Sequence, residues 1–227
     1  MKRYIYKQLL AWKNEKEHKP LILNGARQVG KTYILREFGR NEYKRMAFFS
    51  LDRDQKALEI FNKGGRATDM LMALSAICHE DITPHDTLVV LDEIQNCHKA
   101  LEALKFFCEE TPEIDIVVAG SLLGLSIHSG VSYPVGKVEE LHLYPMTFLE
   151  FLEAMGKTQL VNLLENKNWT VINMLETELI SSLRQYYYVG GMPAAVLAHI
   201  EKKGWKEVRR IQQQIITDYR RDFSKHA

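Results

Sequence analysis

The sequence has few cysteines, and their spacing does not suit a metal site or a disulfide framework. Cys78, Cys97 and Cys108 are widely separated, and no C-x-x-C pair occurs. An odd number of scattered cysteines is typical of proteins from a reducing compartment. The sequence also lacks an apolar run near the ~20 residues that a membrane helix needs, and its charged N-terminus has no signal-peptide core. These absences predict a cytoplasmic protein with no membrane partner.

An excess of charge of one sign is also missing. The 227 residues carry a formal net charge of +1, and 46% of them are hydrophobic. A balanced charge gives no argument from composition for a nucleic-acid partner, and this apolar content is enough for a buried core. No internal repeat or low-complexity tract interrupts the chain, so we expect one domain or one domain with a small appendage.

The pattern that is present, up to about residue 145, alternates short apolar runs with helical segments. A first helix is predicted over about residues 3–16, and the helix after the first strand is expected to stop at Gly39. The predicted strands cover residues 21–24, 44–51, 87–93, 114–120 and 137–144. Strands that alternate with helices predict an α/β fold, in which a parallel sheet is covered by helices on both faces as an αβα sandwich.

After residue 145 the pattern becomes wholly helical. Thr147 and Glu150 have the spacing of a capping box, which is a helix N-terminus closed by two reciprocal hydrogen bonds. Met146 and Phe151 are placed as the hydrophobic staple that accompanies such a box. The sequence therefore predicts that a new helix begins directly after residue 147.

Glycine and proline punctuate the rest of this helical part. Gly190-Gly191 is expected to end one helix, and Pro193 is expected to begin the next in its first turn. We therefore predict an α/β core over residues 1–145 and a small all-helical domain over residues 146–227. The last helix has no closing signal, so we expect this chain to be the front part of a longer protein.

Residues 25–32 read GARQVGKT and fit the pattern G-x-x-x-x-G-K-[ST] of a phosphate-binding loop. Glycines in such a loop let backbone N–H groups surround phosphate oxygens, and the following helix adds the partial positive charge of its N-terminus. Lys31 is expected to reach the β and γ phosphates, and the Thr32 hydroxyl to bind Mg²⁺. The predicted nucleotide-binding residues of this segment are Gly25, Ala26, Arg27, Gln28, Val29, Gly30, Lys31, Thr32 and Tyr33.

Residues 88–95, LVVLDEIQ, are predicted to supply the other half of the site. An apolar strand there delivers Asp92 and Glu93 to the carboxyl edge of the sheet, where ligands of parallel sheets bind. Asp92 is expected to hold Mg²⁺, and Glu93 to polarise the water that attacks the γ phosphate. Ser121, at the end of the fourth strand, is predicted either to hydrogen-bond that water or the γ phosphate, or to cap the next helix.

The segments GARQVGKT, LDEIQ, AGS, YPMTFLEF and GGMP together resemble the prokaryotic AAA-superclass ATPases. Within that superclass, the chain resembles a bacterial and archaeal group that is related to the STAND signalling ATPases and has an N-terminal ATPase domain and an uncharacterised C-terminal domain. The resemblance implies a P-loop NTPase core that uses ATP and Mg²⁺, with Ser121 as the first sensor and Pro193 near the adenine. Relatives carry a Gly-Arg pair where this chain has Gly136-Lys137, so an arginine finger is unassigned, with Arg66 and Arg184 as unranked alternatives.

The sequence leaves three functions open. The guanine-reading motif N-K-x-D and an ABC-type signature are absent, so ATP is the favoured nucleotide. The first hypothesis is a magnesium-dependent ATPase that acts as a nucleotide-driven conformational switch. The second is a nucleotide-gated binding module with little hydrolysis, and the third is a DNA-processing ATPase. Residues 201–226 hold eight basic and four acidic side chains, for which a solvated helix face is favoured over a DNA surface. An unidentified protein partner and an oligomer remain open.

Overall fold

The computed structural model describes residues 1–121 and 134–226, and the chain forms two compact units. The sheet unit contains Ile5–Ala26 and Gly30–Leu143. The helical unit contains Met1–Tyr4, Arg27–Val29 and Tyr144–Ala227. The division into domains at residue 145 stays a prediction, because these units interleave near the N-terminus.

Within the described residues, the sheet unit contains five parallel strands. They are β1 (Leu21–Gly25), β2 (Arg45–Ser50), β3 (Thr87–Asp92), β4 (Asp115–Gly120) and β5 (Glu139–Leu143). The strand order is β2-β3-β4-β1-β5, and every neighbouring pair is parallel. Each strand lies within two residues of its predicted bounds, and the predicted α/β fold with a parallel sheet and flanking helices is confirmed.

The three middle strands of the sheet are buried at every residue. β3, β4 and β1 read TLVVLD, DIVVAG and LILNG, which are apolar along most of their length because both faces are covered. The outer strand β5 is largely half-exposed, and it reads EELHL. Asp92 ends β3 and Ser121 directly follows β4, so both lie at the carboxyl ends of buried strands.

The sheet unit has one helix before its first strand and further helices between its strands. They are α1 (Ile5–Asn14), α2 (Lys31–Glu42), α3 (Gln55–Lys63), α4 (Ala67–Cys78), a short 3₁₀ helix (Ile94–Asn96) and α5 (His98–Glu110). One core joins α3, α4 and α5 to the sheet, and in it the rings of Phe61 and Phe107 pack edge to face with centroids 6.4 Å apart. Such a pair adds about 0.5–1.5 kcal/mol to the burial of its apolar area.

The prediction that α2 ends at Gly39 is wrong, because the helix continues to Glu42. The glycine has a packing reason instead. A Cβ atom built on Gly39 would lie 2.4 Å from Sδ of Met46 on β2, far inside van der Waals contact. A side chain at position 39 would therefore require the flexible Met46 side chain to shift. A glycine that packs against a strand and a glycine that ends a helix look the same in the sequence.

The helical unit consists of helices after residue 147. They are α6 (Phe148–Ala154), α7 (Thr158–Glu165), α8 (Trp169–Met174), α9 (Glu176–Val189), α10 (Pro193–Ile200) and α11 (Trp205–His226). The predicted capping box is present at α6, with Glu150 N donating to Thr147 Oγ1 at 3.2 Å and Thr147 N donating to Glu150 Oε2 at 2.8 Å. The staple residues Met146 and Phe151 are buried in one core. Among the described helices, none combines the length and apolar character of a membrane span.

The two successive glycines after α9 have different roles. Gly190 ends the helix with a φ of 74°, a left-handed conformation that favours glycine. Gly191 permits a close backbone approach, because a Cβ there would lie 2.2 Å from the carbonyl oxygen of Met146. In this arrangement Met146 N donates to Gly191 O at 2.7 Å, and the Tyr186 hydroxyl donates to Met146 O at 2.8 Å. Pro193 then begins α10 in its first turn, as predicted.

Candidate nucleotide-binding site

The phosphate-loop motif joins the end of β1 to the start of α2. β1 is buried throughout and ends at Gly25, and α2 begins at Lys31 with Gly30 as its N-cap. Gly30 has a φ of 100°, which glycine adopts without the cost that a side chain would add. The first N–H groups of α2 have no partner within the helix, and with the helix dipole they form an anion-binding end.

The motif lysine is buried against the backbone of its own loop. Lys31 is 8% exposed, and its Nζ donates to the carbonyl oxygens of Gly25 at 2.7 Å and Ala26 at 3.0 Å. A buried ammonium group is costly unless it is hydrogen-bonded, and these carbonyls offset part of that cost. These hydrogen bonds therefore hold the ammonium group of Lys31 at the loop, where a phosphate site requires a positive charge.

Asp92 at the end of β3 contacts Thr32 in the first turn of α2, although β3 and the strand before α2, β1, are not neighbours. β4 lies between β3 and β1 in the sheet, yet Thr32 Oγ1 donates to Asp92 Oδ2 at 2.6 Å. Asp92 is 4% exposed at the end of β3, and its other oxygen accepts from Glu93 N at 3.1 Å. Asp92 of the acidic pair is thus in direct contact with Thr32 of the phosphate-loop motif.

The donor atoms at this contact suit magnesium. Mg²⁺ prefers oxygen ligands at 2.0–2.1 Å in octahedral geometry, so two adjacent ligands lie about 2.9 Å apart. The hydroxyl of Thr32 and the carboxylate of Asp92 are oxygen donors 2.6 Å apart, close to that separation. These two side chains could hold Mg²⁺ with water and phosphate oxygens completing its shell.

Glu93 follows Asp92 in a backbone conformation that orients its side chain. Its φ is 58°, in the left-handed region, where a residue other than glycine is uncommon and carries a cost of about 1–3 kcal/mol. Gln95 Nε2 donates a hydrogen bond to Glu93 Oε2. Gln95 belongs to the LDEIQ motif, but the sequence analysis gave it no role. The structure places it as the residue that orients the Glu93 carboxylate.

Ser121 lies at the same edge of the sheet. It follows β4 directly and is 5% exposed, and the preceding residue, Gly120, pairs with Asn24 of β1. Ser121 is therefore near the start of the phosphate loop in the sheet register. The alternative prediction, that Ser121 caps the next helix, concerns residues 122–133, which lie outside the described residues.

The remaining predicted nucleotide contacts fall in different places. Tyr33 is 58% exposed in the first turn of α2. Arg27, Gln28 and Val29 are grouped with the helical unit, and the side chain of Val29 is buried. Pro193 is the first residue of α10, also in the helical unit, and its place near an adenine stays a prediction.

The three residues considered for an arginine finger have different surroundings. Lys137 Nζ pairs with Glu109 Oε1 at 2.9 Å, and this hydrogen bond holds the pKa of Glu109 below its usual range. Arg66 pairs with Asp69 at 3.2 Å. Arg184 makes no hydrogen bond or ion pair within the described part of the chain, and it lines a cavity of about 620 Å³. An arginine finger stays unassigned.

Arg3 and Glu150 form a buried ion pair that the sequence analysis missed. Arg3 Nε donates to Glu150 Oε1 at 3.1 Å, and the two side chains are 7% and 5% exposed. Arg3 Nη1 also donates to the carbonyl oxygen of Val29 in the phosphate loop, at 3.1 Å. No local motif marks an arginine that precedes the first helix, and Glu150 had been interpreted as a capping residue alone.

The profile of the AAA domain family matches residues 17–152, which include the phosphate loop and the acidic pair. The chain belongs to the AAA domain family. A second family, described as a domain of unknown function, matches residues 180–227 of this AAA protein. None of the curated proteins compared with the chain matches it.

Solved structures share the fold of this AAA protein at low identity. The Walker-type ATPase PABY2304 of Pyrococcus abyssi aligns with a TM-score of 0.61 at 15% identity, over 100% of this chain and 76% of that chain. A structure of Drosophila ORC bound to DNA aligns with a TM-score of 0.52 at 15% identity, over 92% of this chain and 65% of that chain. These likenesses establish a P-loop ATPase fold. The STAND relation and a further C-terminal domain stay predictions.

Proposed function

We propose that this AAA protein binds ATP with Mg²⁺, hydrolyses it to ADP and phosphate, and acts as a nucleotide-driven conformational switch. The observation that carries the proposal is the contact between Thr32 Oγ1 and Asp92 Oδ2 at 2.6 Å. It joins the residue after the loop lysine to the acidic end of β3. These two side chains would hold Mg²⁺ beside the bound triphosphate.

The loop and α2 would bind the triphosphate. The N–H groups of the loop and of the first turn of α2 donate to phosphate oxygens, and the helix dipole favours the negative charge. Lys31 is already bonded to the carbonyls of Gly25 and Ala26, so its ammonium group is restrained near the phosphate position. We expect it to exchange a carbonyl partner for a phosphate oxygen when ATP binds. A restrained cation loses less conformational entropy on binding than a free lysine.

Hydrolysis would need little covalent chemistry from the protein. Bound magnesium neutralises charge on the phosphates, and Thr32 and Asp92 would hold it. Glu93 would accept a hydrogen bond from the attacking water, whose oxygen bonds to the γ phosphorus as the bond to the β–γ bridging oxygen breaks. Ser121, buried at the end of the neighbouring strand β4, would hydrogen-bond that water or the γ phosphate.

A nucleotide-gated module with little hydrolysis is the second candidate, and two contacts favour it. Gln95 Nε2 donates to Glu93 Oε2, so that carboxylate oxygen already has a hydrogen-bond donor that competes with water. Lys137, which stands where relatives carry arginine, is paired with Glu109. Lysine lacks the planar fork with which arginine bridges phosphate oxygens. Both observations favour slow turnover.

A DNA-processing role receives less support from the described charges. Part of the basic set in residues 201–226 is neutralised locally, since Arg210 pairs with Glu207 at 2.7 Å and Lys203 with Glu201 at 2.5 Å. Added DNA should stimulate steady-state ATP hydrolysis at low salt if this role holds. Turnover that does not change with DNA at any salt concentration would remove it.

Equilibrium binding of a fluorescent ATP analogue with Mg²⁺ tests the proposed site. Wild type should bind, and Lys31→Ala should lose most of the affinity because it removes the ammonium group held at the carbonyls of Gly25 and Ala26. Lys44→Ala is a matched control, since Lys44 lies outside the loop in an exposed ion pair with Asp86. Equal affinities of wild type and Lys31→Ala would contradict the proposed site.

A further inference from the structure

Three consecutive residues of the phosphate loop are bonded within the helical unit. The Tyr219 hydroxyl on α11 donates to the carbonyl oxygen of Arg27 at 2.6 Å. Gln28 Nε2 donates to Asp218 Oδ2 at 2.9 Å. Arg3 Nη1 donates to the carbonyl oxygen of Val29 at 3.1 Å. The middle of the loop is thus held by side chains from both ends of the chain.

Arg3 is buried, and each nitrogen of its guanidinium group has an acceptor. It is 8% exposed, and besides Val29 O it donates from Nε to Glu150 Oε1 and from Nη2 to the carbonyl oxygen of Tyr144. The guanidinium group is planar and always charged, so its donors keep a fixed geometry. The position of the Val29 carbonyl is therefore tied to the positions of Tyr144 and Glu150.

Glu150 is itself held in place from several sides. Its Oε1 also accepts from Tyr4 N at 2.7 Å, and its Oε2 accepts from Thr147 N at 2.8 Å in the capping box of α6. A buried carboxylate with this many donors cannot move without losing several hydrogen bonds. The start of α6 is therefore a fixed anchor for the Arg3 guanidinium group.

A hydrogen bond to a loop carbonyl also orients the next N–H group. The C=O of one residue and the N–H of the next share one planar trans peptide, and they point in opposite directions. No cis peptide occurs within the described residues. Arg3, by holding the oxygen of Val29, thus sets the direction of the Gly30 N–H. Tyr219, by holding the oxygen of Arg27, does the same for the Gln28 N–H.

We propose that Arg3 is a positioning residue for the phosphate site, and that Tyr219 assists it from α11. They orient alternate N–H groups of the loop, Gln28 and Gly30, toward the phosphates of the nucleotide. This inference rests on the proposed binding of ATP. It adds a route for regulation, because a movement of α6 or α11 that broke these bonds would release the loop amides and weaken nucleotide binding.

The test compares two variants that differ at Arg3. In Glu150→Gln the amide oxygen can still accept from Arg3 Nε, and we expect the guanidinium group to stay on the carbonyls of Val29 and Tyr144. Arg3→Met combined with Glu150→Gln removes the guanidinium group and leaves no unpaired buried carboxylate. The measurement is the Kd of the slowly hydrolysed analogue ATPγS with Mg²⁺, by calorimetry. We expect the double variant to bind ATPγS about tenfold more weakly than Glu150→Gln, because it loses one charge-assisted hydrogen bond to the loop.

Two further variants separate positioning from stability. Tyr219→Phe alters a bond at the exposed surface of α11 and leaves no buried charge, so it tests the inference if the double variant does not fold; we expect about threefold weaker binding. Lys2→Ala, which breaks an exposed ion pair with Glu153 at 3.4 Å, should bind like wild type. A stability role alone would lower the Tm without nucleotide and leave the Kd and the nucleotide-induced rise in Tm unchanged.

Equal affinities, within twofold, of Glu150→Gln and the double variant would overturn the inference while wild type still binds ATPγS. Where the double variant does not fold, an unchanged affinity of Tyr219→Phe has the same meaning. A wild-type chain that does not bind ATPγS at all would instead overturn the proposed function, and this inference with it.

Discussion

Replacing Asp92 by asparagine should separate the stability of the free protein from its response to magnesium. Asp92 is a buried carboxylate, 4% exposed, and its oxygens accept from Thr32 Oγ1 at 2.6 Å and from Glu93 N at 3.1 Å. Asparagine has the same shape and can keep both contacts, with its oxygen facing Glu93 N and its amide facing the Thr32 hydroxyl. The change also removes a buried negative charge. We expect the free energy of unfolding without nucleotide to change by less than about 1 kcal/mol, or to increase.

The response to MgATP should change much more. A ligand at one hundred times its Kd stabilises the folded state by about 2.7 kcal/mol. In a chain of this length, each kcal/mol raises the Tm by roughly 2–4 °C, so wild type should gain roughly 5–10 °C. Asp92→Asn lacks the anionic ligand and should lose most of the difference between ATP with Mg²⁺ and ATP with EDTA.

Thermal unfolding followed by circular dichroism measures both quantities in one set of samples. Asp86→Asn is the control, since it removes a partly exposed carboxylate paired with Lys44 at 2.9 Å, and it should keep the full magnesium-dependent shift. The reasoning is refuted if Asp92→Asn shows the same difference between Mg²⁺ and EDTA as wild type. It is also refuted if Asp92→Asn unfolds far below wild type without nucleotide.

Two further predictions concern the helical unit. Gly191→Ala should lower the Tm by at least several degrees, because its Cβ would lie 2.2 Å from the carbonyl oxygen of Met146 and overpacking costs about 1–3 kcal/mol; an unchanged Tm would contradict that close approach. His199 stacks on Phe151 and Trp205 with ring centroids 5.9 and 5.0 Å apart, and burial lowers its pKa. Because the pKa of His199 is lowered in the folded state, the unfolded chain binds the proton more readily. The stability that neutral His199 contributes is therefore present above about pH 6.5 and is lost as the pH falls. The drop in Tm between pH 7.5 and 5.5 should be smaller in His199→Phe than in wild type, and equal drops would show that His199 contributes nothing to acid sensitivity.

Local signals in the sequence were enough to predict the sheet and the contact between the phosphate-loop motif and Asp92. Strands such as TLVVLD and DIVVAG are apolar on both faces, and a buried parallel strand has few other compositions available. The loop motif and the acidic pair each carry their chemistry within a few residues. Their contact followed from one rule, that the carboxyl ends of parallel strands meet at one edge.

The features that the sequence did not reveal depend on distant partners. Gly39 looks like a helix stop, but it faces Met46, and no local pattern distinguishes a glycine needed for close packing from one that ends a helix. Arg3 lacks any motif, and its role depends on a carbonyl in the loop and a carboxylate in α6. Gln95 was visible in the motif, but its bond to Glu93 depends on the left-handed backbone of that glutamate.

Release of inorganic phosphate at saturating MgATP, compared between wild type and Glu93→Gln, tests the central claim most directly. Glutamine keeps the shape of Glu93 but is a much weaker hydrogen-bond acceptor for the attacking water, so the variant should bind ATP with unchanged affinity and lose turnover by about 10²–10⁴-fold. Wild-type turnover above that of the variant is the predicted result. Equal rates of phosphate release in the two proteins would contradict hydrolysis at this site and leave the nucleotide-gated module as the function.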